Sequence, residues 1–406
     1  MNYYKEEAGR LISKLEESIS NLRDYCETEN FMGWDPYDGL NSPIIKKTFL
    51  NRIPLARLIF IQFFKRSPIN LRKIFFIPKQ HNPKGIALLI SGYCNLYHIK
   101  KEKDQNESLL IKEKIIVLSD LLLSLKSRGY SGDCWGYNFD WQARFYFLFK
   151  AYTPTVVATS FCVDALLSAY KITQKEDYLK SALSSRFFIL KDLKKENFED
   201  GFLLSYAPVD GNNTVYNASL LGAKALSKCY EITGEKDLIN AAKQIVNCVC
   251  KNQNRDGSWV YGRLNTQTWI DSYHTGYNLQ SIYIYQKISG DLSFKRYLEK
   301  GLDFYVKNFF EDNGLPKHFH DNAYPIDIHC PGQLFMTLCE MDKIEENKVL
   351  VQKVLEWTVR NMQDRKGFFY FQLKKVLSSK ISYMRWNNAF MFKALTDLLR
   401  LNHEQY

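Results

Sequence analysis

In the segment TWIDSYHTGY, Trp269, Asp271, Tyr273, His274 and Tyr277 put a carboxylate, an imidazole and three ring faces within nine residues. A histidine near its ordinary pKa removes or donates a proton at neutral pH, and a neighbouring carboxylate orients it or shares the transfer. A second cluster, HFHDNAYPIDIHCPGQ, carries His318, His320, Asp327 and His329. Four of the seven histidines fall between 274 and 329, and this concentration points to catalysis. Further groups stand in CWGYNFDWQAR (Trp135, Tyr137, Asp140, Arg144) and in SYMRWNN (Tyr383, Arg385, Trp386, Asn387).

The chemistry these residue types suit is that of sugars. Trp135, Trp269 and Trp386 offer ring faces to a pyranose, and Arg144 and Arg385 offer bidentate forks to a carboxylate or phosphate. Asp271, His274 and His329 are the expected proton-transfer groups, assisted by Tyr273 and Tyr383. Tyr137, Asp140, His320, Asp327 and Asn387 complete the expected substrate-binding set. Each has a plainer alternative. Asp271 and Asp327 directly precede predicted helices, where aspartate caps free N–H groups. His318 and His320 share a face if their segment is extended, but solvent-exposed loop histidines look the same.

Such groups need rigid elements behind them. The 406-residue chain is 46% hydrophobic and 24% charged, ordinary globular material. Apolar residues recur with the helical period from end to end, and strand-like alternation is nearly absent. Helices are predicted near 3–25, 43–65, 84–98, 108–128, 155–172 and 175–192. Others are predicted near 216–232, 236–252, 274–288, 292–310, 327–341, 346–363 and 382–401. A glycine-aromatic loop precedes a helix five times, marked by Gly136, Gly201, Gly257, Gly314 and Gly367, at spacings of 65, 56, 57 and 53 residues. Each interval holds two helices, and the N-terminal region supplies a sixth pair. The expectation is all-α: one domain over 1–406, an (α/α)6 toroid of six helical hairpins with these loops at one mouth. Residues 1–80 are expected to form an N-terminal helical arm.

The net charge of +11 points to an anionic partner. Much of the N-terminal charge is interleaved with apolar residues in LIFIQFFKRSPINLRKIFFIPK. This reads either as a basic amphipathic stretch in peripheral contact with an anionic membrane or as a helix with a solvated basic edge. No nucleic-acid-reading motif accompanies the charge, so nucleic acid is not an expected partner. The N-terminus reads as a charged amphipathic helix rather than a signal peptide. No apolar run approaches the roughly 18 residues that span a bilayer. Nine scattered cysteines fit buried thiols in a reducing compartment, so a cytoplasmic protein is expected.

Short runs also resemble known families. Cys134-Trp135-Gly136-Tyr137 and His329-Cys330-Pro331-Gly332 resemble lanthionine cyclases, α-toroids whose zinc is held by two Cys and a His. That family's second Cys/His pattern is not reproduced, and neither metal nor cofactor enters the expected site. Gln253–Trp259, QNRDGSW, resembles the QxxxGxW repeat of triterpene cyclases, which ties helix ends together and so bears on architecture. The acidic motifs of polyene and diphosphate chemistry are absent. WDPYDGLNSP (34–43), SPINLRK (67–73), NPKGIAL (82–88), YPIDIH (324–329) and YMRWNN (383–388) together resemble α-toroid proteins encoded among surface-polysaccharide biosynthesis genes. More distantly, WIDSYHTGYNLQ and RWNNAF resemble (α/α)6 carbohydrate enzymes: unsaturated glucuronyl hydrolases, N-acylglucosamine 2-epimerases and glucuronyl C5-epimerases. These resemblances imply an enzyme acting on an acidic or lipid-linked glycan, by epimerase, lyase or hydrolase chemistry. The alternatives are a non-catalytic glycan-binding or scaffold toroid at the membrane and a zinc-dependent toroid enzyme.

Overall fold

The computed structural model describes residues 2–143, 148–209 and 214–405. Among these residues fourteen α-helices run in chain order: α1 (Asn2–Thr28), α2 (Pro43–Lys47), α3 (Pro54–Arg66), α4 (Pro83–Lys100), α5 (Gln105–Ser124), α6 (Val156–Thr173) and α7 (Glu176–Phe187). After these come α8 (Tyr216–Thr233), α9 (Lys236–Lys251), α10 (Ser272–Ser289), α11 (Lys295–Asn308), α12 (His329–Glu340), α13 (Lys348–Met362) and α14 (Phe390–Gln405). One predicted helix, 43–65, is instead two. Thr48 and Ile53 are extended, and Pro54, which lacks an N–H, opens α3 rather than continuing α2.

Six helices pack in a closed inner ring, α4 to α6 to α8 to α10 to α12 to α14 and back to α4. Their composition explains the position. In α4, α6 and α8 apolar and small residues occur nearly all round, and most of each helix is buried. By contrast α9 and α11 are amphipathic and bury one stripe. The outer layer is α5, α7, α9, α11 and α13, and α1 packs on α14 to complete it. The chain is therefore an (α/α)6 toroid whose sixth pair joins its two ends. By length and composition α6 passes as a bilayer span, contrary to the sequence expectation, but it is an inner-ring helix buried along most of its length.

The repeat glycines show why the ring is regular. A Cβ on Gly201, Gly257, Gly314 or Gly367 would stand 2.0–2.4 Å from a backbone oxygen of Gln244, Lys300, Lys353 or Asn21 respectively. These oxygens lie on α9, α11, α13 and α1. All four glycines also hold a positive φ, which L side chains resist. The first repeat is in a different register from the one expected. Gly132, not Gly136, abuts α7, with its Cβ position 2.1 Å from the Ser184 oxygen. Two glutamines act as clasps. Gln253 Nε2 donates to the Gly257 and Tyr297 oxygens, and Gln363 Nε2 donates to those of Gly367 and Ser18.

The loops before the inner helices gather at one mouth. They carry three two-stranded antiparallel pairs: β1 (Trp141–Gln142) with β2 (Leu148–Phe149), β3 (Lys195–Phe198) with β4 (Gly201–Leu204), and β5 (Ile326–Asp327) with β6 (Gln372–Leu373). All six inner helices point their N-termini toward this mouth, which favours negative charge there. Residues 31–82, with α2 and α3, lie against it. Their own small core of Leu40, Ile45, Ile61, Phe64 and Ile77 packs on Trp141 and Leu148.

Candidate functional site

Asp271 caps α10, its Oδ1 accepting from the His274 N–H at 3.0 Å. The same carboxylate reaches the ring: His274 Nδ1 lies 2.6 Å from Oδ2, and Trp269 Nε1 donates to Oδ2 at 3.1 Å. Capping and a carboxylate–imidazole pair are thus one arrangement, because residue i+3 of a helix stands above its cap. Burial raises the Asp271 pKa, but the His274 charge and hydrogen bonds outweigh it and hold the carboxyl below the usual carboxylate range. It is ionised at neutral pH. His274 keeps about 20% of its side chain exposed, whereas Asp271 keeps 1%.

Tyr273 gathers the remaining groups. Its ring centroid lies 4.3 Å from His274, 5.4 Å from His318, 5.3 Å from His329 and 5.9 Å from Trp386. His274 and His329 therefore flank one tyrosine although 55 positions separate them. Burial first, then the basic groups Lys84 and Arg385 beside it, pushes the His329 pKa well below the ordinary histidine value, so its imidazole is neutral. It stacks 3.7 Å from Phe390, and its buried Nδ1 has no hydrogen-bond partner among the described residues. Around this centre the mouth is walled by rings. Tyr261 stacks on Trp269 at 4.3 Å, Tyr37 stands 5.7 Å from Trp386 and 6.2 Å from Trp141, and the Tyr137 and Tyr206 hydroxyls are 3.3 Å apart.

Several expected binding residues are structural instead. Trp135 is fully buried, and its Nε1 donates to the Leu122 oxygen at the end of α5, as Trp259 does to Val249 at the end of α9. It presents no face to a sugar. Tyr383 is fully buried and accepts from Arg72 at 2.9 Å. Asn387 is buried and donates to the Phe369 and Ile381 oxygens. Asp140 accepts from the Ala151 N–H, which closes the hairpin of β1 and β2. The Asp327 carboxylate, 1% exposed, accepts from the His329 N–H, Trp386 Nε1 and Gln372 Nε2, so it positions α12 and Trp386 rather than offering an acid. His318 and His320 part company: His318 faces Tyr273, while His320 packs on Phe304 of α11. Cys330 Sγ lies 3.9 Å from His318 Nδ1 and Cys134 Sγ lies at the Ser127 oxygen. No cluster of three or more His, Cys, Asp or Glu suited to a metal occurs among the described residues. Arg144 lies outside the described residues.

Arg385 is already paired. Its Nε and Nη2 donate to the two oxygens of Asp35 at 2.5 and 2.9 Å, with Asp35 3% and Arg385 4% exposed. Its guanidinium lies over Tyr137 and Trp386. Beside it Arg72 joins Asp38 at 2.7 Å, the Asp35 carbonyl and Tyr383. The residues bonded here come from WDPYDGLNSP, SPINLRK and YMRWNN, and YPIDIH joins them through the Asp327–Trp386 bond. These segments, far apart in sequence, thus form one buried polar network that fastens residues 31–82 to the mouth. Arg385 and Trp386 belong to a π-helical turn, Met384–Ala389, that opens α14.

Lys84, the one charge in NPKGIAL, is a site residue that was not among those expected. It is buried on α4, its Nζ donating to the Tyr277 hydroxyl at 3.2 Å and lying 4.1 Å above the Phe161 ring. No carboxylate stands within ion-pair distance among the described residues. Burial, then Arg385, drives its pKa well below the usual lysine value. Such lysines serve as proton acceptors, and the sequence signal is a lysine opening an otherwise apolar helix. Because the unfolded chain holds the proton that the fold disfavours, this term makes stability rise with pH toward the unfolded lysine value of about 10.4. Lys84→Met is expected to stabilise the protein by about 1 kcal/mol at neutral pH and to flatten that rise. Urea unfolding at several pH values measures it, and a destabilised variant contradicts it.

A closed ring of six helix pairs with rings and ionisable groups at one mouth defines the (α/α)6 toroid class. Solved structures of this class resemble the chain over most of its length. A glycoside hydrolase family 76 mannosidase from Bacteroides thetaiotaomicron matches with a TM-score of 0.63 at 10% identity, covering 98% of this chain and 100% of that one. An unsaturated glucuronyl hydrolase specific for heparin matches at 0.60 and 12% identity, covering 97% of each chain. Cellobiose 2-epimerase from Bacillus thermoamylovorans matches at 0.59 and 13% identity, covering 79% of this chain and 90% of that one. At these identities the likeness establishes the fold. No family model and no curated protein matches the sequence.

Proposed function

We propose that this protein is a carbohydrate-active enzyme that moves a proton on an acidic or lipid-linked glycan in surface-polysaccharide biosynthesis, in the cytoplasm. The observation that carries the reading is the Asp271–His274 pair at 2.6 Å, set under Trp269 and beside Tyr273 and His329 at an aromatic mouth. Similar toroids are named for saccharide substrates, which supports the substrate class. In this reading His274 is the proton carrier, Asp271 orients it and stabilises its charged form, and Trp269 provides a stacking face, while Tyr137 and Trp386, which lie under the Arg385 guanidinium, form the wall behind it. Tyr273 offers its hydroxyl to sugar hydroxyls, and the neutral His329, 1% exposed, backs the Tyr273 ring from inside the mouth. Arg385 is held by Asp35, so it contributes positive field rather than a free fork.

The test is incubation in D₂O with a panel of neutral, uronate-containing and lipid-linked saccharides, followed by NMR. Deuterium at an inverted carbon identifies an epimerase, a new double bond a lyase and new reducing ends a hydrolase. Binding without any product on the whole panel would favour the glycan-binding scaffold, for which the cover of residues 31–82 over the mouth is the specific support.

A further inference from the structure

The outer side of α3 is unlike the rest of the surface. Leu55, Ile59 and Phe63, one helical turn apart, are 53%, 58% and 47% exposed, while Arg57, Ile61 and Phe64 on the other side are buried. A globular helix needs one apolar stripe, and this one has two. Phe49, Ile69, Ile74 and Phe76 extend the exposed set, each at least 66% exposed. A groove of about 570 Å³ runs along the helix between Ile59, Phe63 and Pro68. Apolar side chains gathered in this way mark an interaction surface.

Charge identifies what the surface meets. No Asp or Glu occurs between Asp38 and Glu102, whereas Lys46, Lys47, Arg52, Arg66 and Lys73 are all exposed among these apolar residues. A second loop joins the same face. Lys374 Nζ donates to the Arg66 carbonyl oxygen at 3.3 Å, and the adjoining Lys375, Val376, Leu377 and Lys380 are exposed, Val376 at 86%. Two segments whose contacting residues lie 308 positions apart thus repeat one composition, aliphatic or phenyl groups among lysine and arginine. A second copy of this chain would set these cations against themselves, so self-association through this face is disfavoured.

We propose that this face, α3 with its flanking turns and the 374–380 loop, docks on an anionic lipid bilayer. The apolar side chains enter the boundary between headgroups and acyl chains, and the lysines and arginines lie among anionic headgroups. Residues 31–82 also border the mouth, through Tyr37 on Trp386 and the Asp35–Arg385 pair, so docking brings the mouth to the membrane surface. Resting here on the proposed function, the substrate class narrows to a saccharide carried on a lipid.

The experiment is co-sedimentation of the full chain with phosphatidylcholine vesicles, with and without about 30% phosphatidylglycerol. The expected result is binding to the anionic vesicles only, weakened by salt. The variant Ile59→Glu/Phe63→Glu is expected to lose about tenfold or more in binding. Both positions are exposed, so its thermal midpoint should stay unchanged. No binding of the wild type to anionic vesicles overturns the proposal. So does a dimer that the double variant dissociates, which would assign the face to a second copy. Turnover of a water-soluble saccharide by the double variant separates the two readings: vesicle binding can fail while catalysis stands, and the reverse.

Discussion

Asp271→Asn is expected to lower turnover by about 10²- to 10⁴-fold while leaving the fold and saccharide binding in place. The substitution is chosen because asparagine caps a helix about as well as aspartate. Its side-chain oxygen keeps the bond from the His274 N–H, but the negative charge 2.6 Å from Nδ1 is gone. A purely structural Asp271 therefore predicts unchanged turnover with only a stability loss from the Trp269 Nε1–H that would face the new amide, whereas a proton-transfer pair predicts a severe loss of turnover. His274→Ala should lose as much, and the double variant little more, because the two groups act as a unit. Steady-state rates beside calorimetric binding decide it. Turnover within threefold of wild type in Asp271→Asn removes the pair from the mechanism.

Arg385→Met should cost about 3–5 kcal/mol of stability, since it strands the Asp35 carboxylate in the interior. Asp35 is 3% exposed and both its oxygens face the guanidinium. Asp35→Asn combined with Arg385→Met removes the uncompensated charge and should recover much of the loss. Urea unfolding of the three variants gives the coupling. The result also separates two roles for Arg385. If the arginine is a substrate clamp that happens to meet Asp35, the single variant stays stable and loses affinity instead. If it is the fastener of residues 31–82, stability falls first, and limited proteolysis should cut within that segment.

Much of the architecture was legible without coordinates because helices are local. The 3.6-residue period and each glycine-aromatic loop lie within short windows. They sufficed for thirteen helical regions and a closed ring. The Asp271–His274 pair was legible for the same reason, a cap and its i+3 residue being neighbours by helix geometry. The register of the first repeat was not. Gly132 and Gly136 both stand by an aromatic loop, and only the close approach to Ser184 on α7 selects Gly132.

The clusters at 318–333 and 383–388 show the other limit. Residue type alone gave Trp135, Asp327, Arg385 and Asn387 the look of ligand-binding groups and Tyr383 that of a proton-transfer assistant, and each proved to have an internal partner. A side chain's availability depends on what the rest of the chain brings to it. Asp35 reaches Arg385 across 350 positions, and Asp327 reaches Trp386 across 59. Short-range pattern was enough for the ring, for most of the helices and for the one local acid–imidazole pair. Tertiary structure decided which polar groups remain free at the mouth, because burial and long-range hydrogen bonds satisfy or strand each group irrespective of its neighbours in the chain.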